Sequence, residues 1–248
     1  ALIERVRARV GRPPTFVLLG IGDDAAIVAP ERNAADVLTT DAVVDGVHVD
    51  RALVPARAIG HRALAVNLSD LAAMGATPRV ALLSMGLPAD LPLSEYDDLV
   101  DGFVSLAERH RVAVVGGNIT RTAGPLFVDV TVAGSVRPRR ALRRATARAG
   151  DLLFVSGTLG GSLAGLLALR AGGAAPTGEA VDAAVARYAS PEPRVRLGTI
   201  VGRSRAASAC IDLSDGLADG VRQIAEASGL GAEVRGDAVP LHEAVALV

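Results

Sequence analysis

The sequence predicts an α/β protein, in which short apolar strands alternate with helices. Half of the 248 residues are hydrophobic and only 2% are aromatic, so the core is expected to be aliphatic. Apolar, β-branched runs such as residues 112–115 are typical of buried strands, and longer segments with helical spacing separate them. A chain of this length can form one large or two ordinary α/β domains.

Composition excludes several classes of function. A formal net charge of -1 gives no electrostatic reason to expect nucleic acid or a membrane surface as a partner. No apolar run reaches the roughly 18 residues of a membrane helix, and we find no signal peptide, so we expect a cytoplasmic protein. The single cysteine, Cys210, excludes an internal disulfide framework and suits a reducing compartment.

All 26 basic residues are arginine, and this excludes the lysine-dependent ways of handling phosphates or carbonyls. Without lysine the chain has no P-loop of the type G-x-x-x-x-G-K-[ST], no strand lysine of a protein kinase and no Schiff base. Zinc is poorly supported as well, because the histidines are scattered and no cysteine pair exists.

The first elements of the chain place two acids beside a strand. Residues 2–10 predict a short helix that ends near Gly11, and residues 25–28 predict a strand. Asp23 and Asp24 lie in a glycine-bracketed turn just before that strand. Ordinary turn chemistry is the alternative explanation for this pair, since Asp bonds readily to its own backbone.

A second predicted strand, residues 37–41, ends in Thr39, Thr40 and Asp41. Hard cations such as Mg²⁺ bind hydroxyl and carboxylate oxygens, so these side chains and one aspartate of the preceding turn form a suitable ligand set if the two strands are neighbours. The alternative is a group of polar turn residues beside a sheet. For His48, in the following turn, a packed or hydrogen-bonded role is the alternative to a functional one.

Residues 55–74 predict a helix of small, apolar residues with one acid, Asp70. A buried carboxylate without a counter-charge is costly or stays protonated, and no arginine lies near Asp70 in the sequence. We therefore expect a metal ion there; the alternative is that Asp70 lies on an exposed face or caps a loop. Helical spacing aligns Ala63, Asn67, Asp70 and Met74, and the small residues of the helix permit close approach of another backbone.

The middle of the chain predicts one helix and three strands. Strands are expected at 80–85, 112–115 and 126–136, and a helix at 94–110, opened by a capping box of Ser94 and Asp97. The second of these strands is expected to end in Gly116-Gly117-Asn118, where a ligand or a second backbone can come close.

The arginine-rich residues 137–148 predict a connection between an N-terminal domain, 1–137, and a C-terminal domain, 138–248. In the second domain we expect strands at 151–156 and 209–211, and helices at 162–170, 179–189, 194–202 and from 217 to about 228. The glycines at 157–161 match no nucleotide fingerprint, so a tight turn is the first interpretation and a phosphate cradle the second.

Two further carboxylates, Asp212 and Asp215, flank Ser214 where the last predicted strand meets a helix. The free amides of a helix N-terminus favour anionic ligands. Helix capping is the alternative, and it accounts for Ser214 or Asp215 but not for all three side chains.

Together, five motifs resemble the thiamine-monophosphate kinase family of the aminoimidazole ribonucleotide synthetase-like superfamily. They are Gly22-Asp23-Asp24, Thr39-Thr40-Asp41 with residues 44–48, residues 65–76 (A-V-N-L-S-D-L-A-A-M-G-A), residues 156–160 (S-G-T-L-G) and residues 211–217 (I-D-L-S-D-G-L). Each motif alone is weak, but their order and spacing extend through nearly the whole chain.

The resemblance implies a two-domain fold, in which an N-terminal mixed sheet with flanking helices dimerises through its sheet and a C-terminal α/β domain follows. It also implies that ATP and several Mg²⁺ ions bind in the cleft between the domains. The reaction would be direct transfer of the ATP γ-phosphoryl to the phosphate of thiamine monophosphate, giving thiamine diphosphate.

Roles for individual residues follow from the same resemblance. The implied metal ligands are Asp24, Thr39, Thr40, Asp41, Asp70, Asn118, Asp212 and Asp215. Among them, the implied catalytic residues are Asp41, Asp70 and Asp212. The implied ATP contacts are Gly117, Asn118, Arg144 and Ser214, and the implied substrate contact is His48.

The chain departs from the family pattern at two points. Asn118 stands where the family commonly has an aspartate, so one carboxylate is replaced by an uncharged amide. The chain also stops at Val248, short of the usual family length, and the part beyond is expected to include residues that grip the thiamine rings. Alternatives are another ATP-dependent enzyme of the superfamily, a cyclo-ligase or a maturation dehydratase, and a nucleotide-binding relative without catalysis.

Overall fold

The structure, a computed structural model, describes residues 2–248. Its strands are β1 (Val17–Leu19), β2 (Ile27–Val28), β3 (Ala35–Val44), β4 (Thr77–Pro88), β5 (Ala113–Thr122) and β6 (Phe127–Val136). Its α-helices are α1 (Leu2–Arg9), α2 (Ala56–Ala73), α3 (Leu93–Arg109), α4 (Gly161–Ala171), α5 (Glu179–Ala189), α6 (Val195–Ser204) and α7 (Leu217–Ser228). No helix among residues 2–248 combines the length and the apolar character needed to cross a bilayer.

A four-stranded mixed sheet organises the first half of the chain, in the order β3-β6-β4-β5. β6 pairs antiparallel with β3 and β4, whereas β4 and β5 are parallel. Helices α2 and α3 cover one face, where valine and leucine side chains of β4 and β6 are almost fully buried. The opposite face exposes Leu38 and Leu82. The α/β class with a mixed sheet, predicted from the sequence, is confirmed.

Helix α2 joins the two halves of the chain. Its N-cap is Pro55 and its C-cap is Met74, as the flanking Pro and Gly signals predict. A Cβ added to Gly198 of α6 would lie 2.0 Å from the carbonyl oxygen of Ala72, so only glycine allows this contact. The predicted close approach of the small residues of α2 to another backbone is therefore confirmed.

Three strands are longer than predicted, and β4 extends the predicted 80–85 to Thr77–Pro88. β3 continues past Asp41 to Val44, paired with β6 along its whole length, so Asp41 lies within the strand and not at its end. β5 continues through the glycine pair to Thr122, held by its parallel register with β4. In both cases the pairing partner extends the strand beyond the local apolar run.

The predicted capping box of α3 is wrong. The N-cap is Pro92, and no side chain caps the helix. Asp97 instead accepts a hydrogen bond from Arg5 of α1 at 2.5 Å. It also forms an ion pair with Arg9 of α1 at 3.1 Å. The carboxylate thus binds two guanidinium groups of α1, which are stronger partners than a backbone amide.

The second half is mainly helical among the described residues. The four predicted helices are confirmed as α4 to α7, but the strands predicted at 151–156 and 209–211 are wrong, because neither segment pairs with another strand. Leu152 and Phe154 are 78% and 86% exposed. A single bridge, Leu159 with Leu241, is the pairing found in this half.

Candidate functional site

Oxygen-bearing side chains from three segments converge beside α2. Thr39 and Asp41 point from β3 toward the helical layer, because alternate residues of a strand share a face. The Thr39 hydroxyl donates a hydrogen bond to Asp70 Oδ2 at 2.5 Å. The carboxyl of Asp41 is within hydrogen-bonding reach of Asp70. The predicted neighbourhood of Asp70 is thus partly assembled by the edge strand of the sheet.

The third segment, just before α7, contributes Asp212. Ser69 Oγ donates a hydrogen bond to Asp212 Oδ2 at 3.0 Å, linking residues 143 positions apart in the chain. Ser69 directly precedes Asp70 in α2, so the bond holds Asp212 next to the carboxylate of Asp70. The two halves of the chain meet at this point. We define the acidic site as Thr39, Asp41, Asp70 and Asp212.

Neighbouring positive charges do not fully compensate the negative charges of the acidic site. Partial burial and the negative charge of Asp70 raise the pKa of Asp41 to about 6. Burial also raises the pKa of Asp212, and the hydrogen bond from Ser69 opposes that shift, as does the charge of Arg144. Such a site favours a bound proton or a cation.

The donor set fits a hard cation in its chemistry. Carboxylate and hydroxyl oxygens are the ligands that Mg²⁺ takes in proteins, and it usually keeps several waters as well. Among residues 2–248, however, no three acidic, histidine or cysteine side chains lie close enough to hold one ion together. The carboxylates are neighbours without forming a closed coordination shell.

Thr40 and Asn118 lie on the open face of the sheet, away from the acidic site. Thr40 Oγ1 donates to Asp129 Oδ1 at 3.2 Å and lies 3.2 Å from the hydroxyl of Thr131. Asn118 pairs with Ser84 of β4, which in turn pairs with Asp129 of β6. At about 4.8 Å per strand, β5 and β3 are separated by about 14 Å. The structure therefore does not bring these two predicted ligands to Asp70.

Gly117 has a backbone reason to be glycine. Its φ is +150°, and a Cβ added there would lie 1.8 Å from the carbonyl oxygen of Leu83 on the paired strand. The close approach predicted for the glycine pair is therefore a contact between two strand backbones. Its role as a nucleotide contact stays a prediction.

The remaining predicted residues lie on exposed turns around the sheet and α7. Asp24 is exposed, and its amide is bonded to Asp23 Oδ1 at 2.8 Å, as turn chemistry predicts. His48 Nδ1 accepts from the amide of Val44 at 3.1 Å, which is the hydrogen-bonded alternative. Ser214 and Asp215 bond to each other at 3.3 Å just before α7.

Among the predicted nucleotide contacts, Arg144 is the one whose charge acts on the acidic site. Its guanidinium donates to Gln223 of α7, and its positive charge lowers the pKa of Asp212. Because Arg144 is exposed, its remaining donors are open to a ligand.

Sequence reasoning missed Ser69 at the acidic site and Asp129 on the opposite face of the sheet. Ser69 was visible as a hydroxyl in an apolar helix, but its partner lies far along the chain. Asp129 adds to the negative field at Asp41. Its signal was an acid at an alternating position of the strand Phe127–Val136.

Comparison with known proteins identifies the family in two steps. The sequence profile of the N-terminal domain of AIR synthase related proteins matches residues 22–136, and the profile of their C-terminal domain matches residues 148–247. These two matches cover most of the chain, and they fit the predicted two-domain α/β fold.

Individual relatives identify the family more narrowly than these two profiles do. The thiamine-monophosphate kinase of Bacillus subtilis is 36% identical over 225 residues, covering 90% of this chain and 69% of that protein. The crystal structure of thiamine-monophosphate kinase from Stenotrophomonas maltophilia has a TM-score of 0.87 and 41% identity, covering 98% of this chain and 76% of that one. AaThiL complexed with AMPPCP and TMP has a TM-score of 0.80 and 33% identity, covering 88% and 68%. This chain therefore belongs to the thiamine-monophosphate kinase family.

Proposed function

We propose that this chain transfers the γ-phosphoryl group of ATP to the phosphate of thiamine monophosphate, giving thiamine diphosphate and ADP. The observation that carries the proposal is the convergence of Asp41, Asp70 and Asp212 in a chain that is 33% identical to AaThiL, a protein complexed with AMPPCP and TMP. Relatives named thiamine-monophosphate kinase support the same substrate.

Asp41, Asp70 and Asp212, with the hydroxyl of Thr39, are the residues that would hold Mg²⁺. When bound, Mg²⁺ would neutralise charge on the phosphates and align them for in-line transfer. The unbalanced negative charge behind the raised pKa of Asp41 supports this assignment. The other candidate ligands for additional ions, which we retain as proposals, are Asp24, Thr40, Asn118 and Asp215.

The residues of this chain position the reactants and need not form a covalent intermediate. Thr39 fixes the carboxylate of Asp70, and Ser69 fixes that of Asp212. Arg144 offers guanidinium donors suited to phosphate oxygens. Since a phosphate oxygen of the substrate is already an anion at neutral pH, no general base is assigned. Further contacts that we propose are Gly117, Asn118 and Ser214 for ATP and His48 for the substrate.

We also propose a homodimer formed through the open face of the sheet. Leu38 is 72% exposed and Leu82 is 41% exposed, although both lie in regular strands. A sheet face that exposes apolar side chains is normally covered by another layer of protein. The division into domains 1–137 and 138–248, and a cytoplasmic location with access to ATP, remain proposals of the same kind.

The test is product analysis after incubation with ATP, Mg²⁺ and thiamine monophosphate. The proposal expects thiamine diphosphate and ADP in equal amounts, and almost none from an Asp70→Asn variant. Asp90→Asn is the matched control, because Asp90 is exposed in the turn before α3. ADP formed without thiamine diphosphate would point to another ATP-dependent reaction of the superfamily.

A further inference from the structure

A groove rich in arginine lies at the end of the sheet where β3 begins, away from Asp41. It has a volume of about 1080 Å³ and is lined by the start of β3 and β4, the end of β6 and the end of α6. Six arginine side chains line it, and we call it the arginine groove: Arg32, Arg137, Arg139, Arg140, Arg203 and Arg205. Glu31 is the acidic residue on its wall.

The charge of the arginine groove is not balanced by the described chain. Among residues 2–248, none of the six guanidinium groups forms an ion pair with a carboxylate, whereas Arg5, Arg9 and Arg51 all do. Glu31 is engaged elsewhere, since it accepts a hydrogen bond from Ser135 and lies 4.0 Å from Arg79. A protein with a net charge of -1 thus concentrates like charges in one concave surface.

Structural roles account for only part of this clustering. Arg203 and Arg205 lie at the C-terminus of α6, where a positive charge is favourable next to the helix dipole. Arg140 donates to the carbonyl oxygen of Arg203 at 2.7 Å. Arg32, Arg137 and Arg139 are exposed and have no such role. Like charges gathered without partners are unfavourable unless an anion joins them.

The arginine groove is separate from the acidic site. Along β3, Asp41 is six positions after the start of the strand at Ala35, which at about 3.3 Å per residue is roughly 20 Å. Along β6, Ser135 of the groove is the same number of residues from Asp129, whose charge reaches Asp41. Two strands therefore give the same separation.

We propose that the arginine groove binds a small anion with two or three linked phosphoryl groups. Arginine forks bind phosphate oxygens in pairs, so one phosphate satisfies only some of the six guanidinium groups. The volume is slightly above the usual range for small-molecule pockets, which suits an extended oligophosphate. Inorganic polyphosphate and the phosphate chain of a nucleotide share this chemistry.

Such an anion connects the two halves of the chain. Arg32 precedes β3, Arg137 and Arg139 follow β6, and Arg203 and Arg205 end α6. Gly75, which lies just past the end of α2, also lines the groove. The bound anion therefore contacts the segment that follows β6, the end of α6 and the residues before β3 at the same time, and so holds them together.

Calorimetric titration with inorganic tripolyphosphate, in EDTA and low salt, tests the site without Mg²⁺ chemistry at the acidic site. We expect one tripolyphosphate per chain, with affinity that falls as NaCl is added. The Arg137→Gln/Arg139→Gln variant should bind at least about tenfold more weakly, because hydrogen bonds from charged groups are lost. ADP titrated in the same buffer shows whether a nucleotide or the inorganic anion binds more tightly.

The matched control is Arg12→Gln/Arg170→Gln, which removes the same charge from exposed positions outside the groove. It should bind tripolyphosphate within about twofold of the unmodified chain, since long-range screening leaves only a weak effect. Equal weakening in both variants, or no binding by the unmodified chain, overturns the proposal. Binding of a long single-stranded oligonucleotide without binding of tripolyphosphate also overturns it, in favour of nucleic acid.

Discussion

Ser69 Oγ lies 3.0 Å from Asp212 Oδ2, and this hydrogen bond fixes the C-terminal half of the chain against the helix that carries Asp70. It also lowers the pKa of a carboxyl that burial otherwise raises. We therefore expect Ser69→Ala to leave helical content unchanged but to reduce kcat/KM for thiamine diphosphate formation by about ten- to a hundredfold. A hydrogen bond to a charged group typically contributes about 1.5–3 kcal/mol.

The control for Ser69 is Ser105→Ala in α3, whose hydroxyl bonds to a backbone carbonyl of its own helix at 2.6 Å. Its kinetics should match those of the unmodified chain. Raised Mg²⁺ should partly rescue Ser69→Ala, because the lost bond positions a proposed ligand. Unchanged kinetics in Ser69→Ala would show that Asp212 needs no such support.

Thr39 and Thr40 are adjacent but face opposite sides of β3, so their substitutions should differ. Thr39→Val removes the hydroxyl bonded to Asp70 and should lower kcat/KM by at least about tenfold. Thr40→Val removes bonds to Asp129 and Thr131 on the open face, so it should lower kcat/KM less than Thr39→Val does and should also shift the monomer–dimer equilibrium. Steady-state kinetics and analytical ultracentrifugation distinguish the two effects. Equal kinetic losses would contradict the orientation of β3.

The pKa of Asp41, raised to about 6, makes the stability of the metal-free chain depend on pH. Between about pH 4 and pH 6 the folded chain binds more protons than the unfolded one, so this carboxyl makes the free energy of unfolding fall as pH rises. Asp41→Asn removes that dependence. In EDTA at pH 7 we expect the variant to be more stable by about 1 kcal/mol, a modest value because the side chain is partly exposed.

Denaturant titration of both proteins at several pH values measures this difference. The stability curves should coincide near pH 4 and separate by pH 7. A constant difference across that range would show that Asp41 titrates normally. Added Mg²⁺ should reverse the order at pH 7, because it would bind the chain with the Asp41 carboxylate more tightly.

Gly117→Ala tests a structural requirement at a predicted nucleotide contact. The new methyl group would lie 1.8 Å from the carbonyl oxygen of Leu83, and φ is +150°. We expect a loss of at least about 2 kcal/mol, or a fall in Tm of roughly 4–8 °C. Gly231→Ala is the control, since an added Cβ there meets no atom within 4 Å. A wild-type Tm for Gly117→Ala would contradict the close pairing of β4 and β5.

Local sequence signals predicted much of this fold, and long-range contacts account for the errors. Proline and glycine placed α2 within a residue at either end, and its lone acid indicated a site that Asp41 and Asp212 help to form. The full length of β3 depends on pairing with β6, so the opposite orientations of Thr39 and Thr40 were not visible. The hydrogen bond of Ser69 to Asp212 likewise cannot be recognised from neighbouring residues in the sequence. Asp97 binds two arginines of α1 instead of capping α3, and those arginines are also distant in the sequence.

Phosphoryl transfer is measured directly by following the γ-phosphoryl group of labelled ATP in the presence of thiamine monophosphate and Mg²⁺. We expect the unmodified chain to move the label into thiamine diphosphate. We expect Asp70→Asn, folded by circular dichroism, to reduce that transfer by at least about a thousandfold, because the Mg²⁺ that Asp70 would hold stabilises charge mainly in the transition state. Label found only in inorganic phosphate would contradict the proposed kinase activity, and transfer by Asp70→Asn at the rate of the unmodified chain would contradict the proposed role of Asp70.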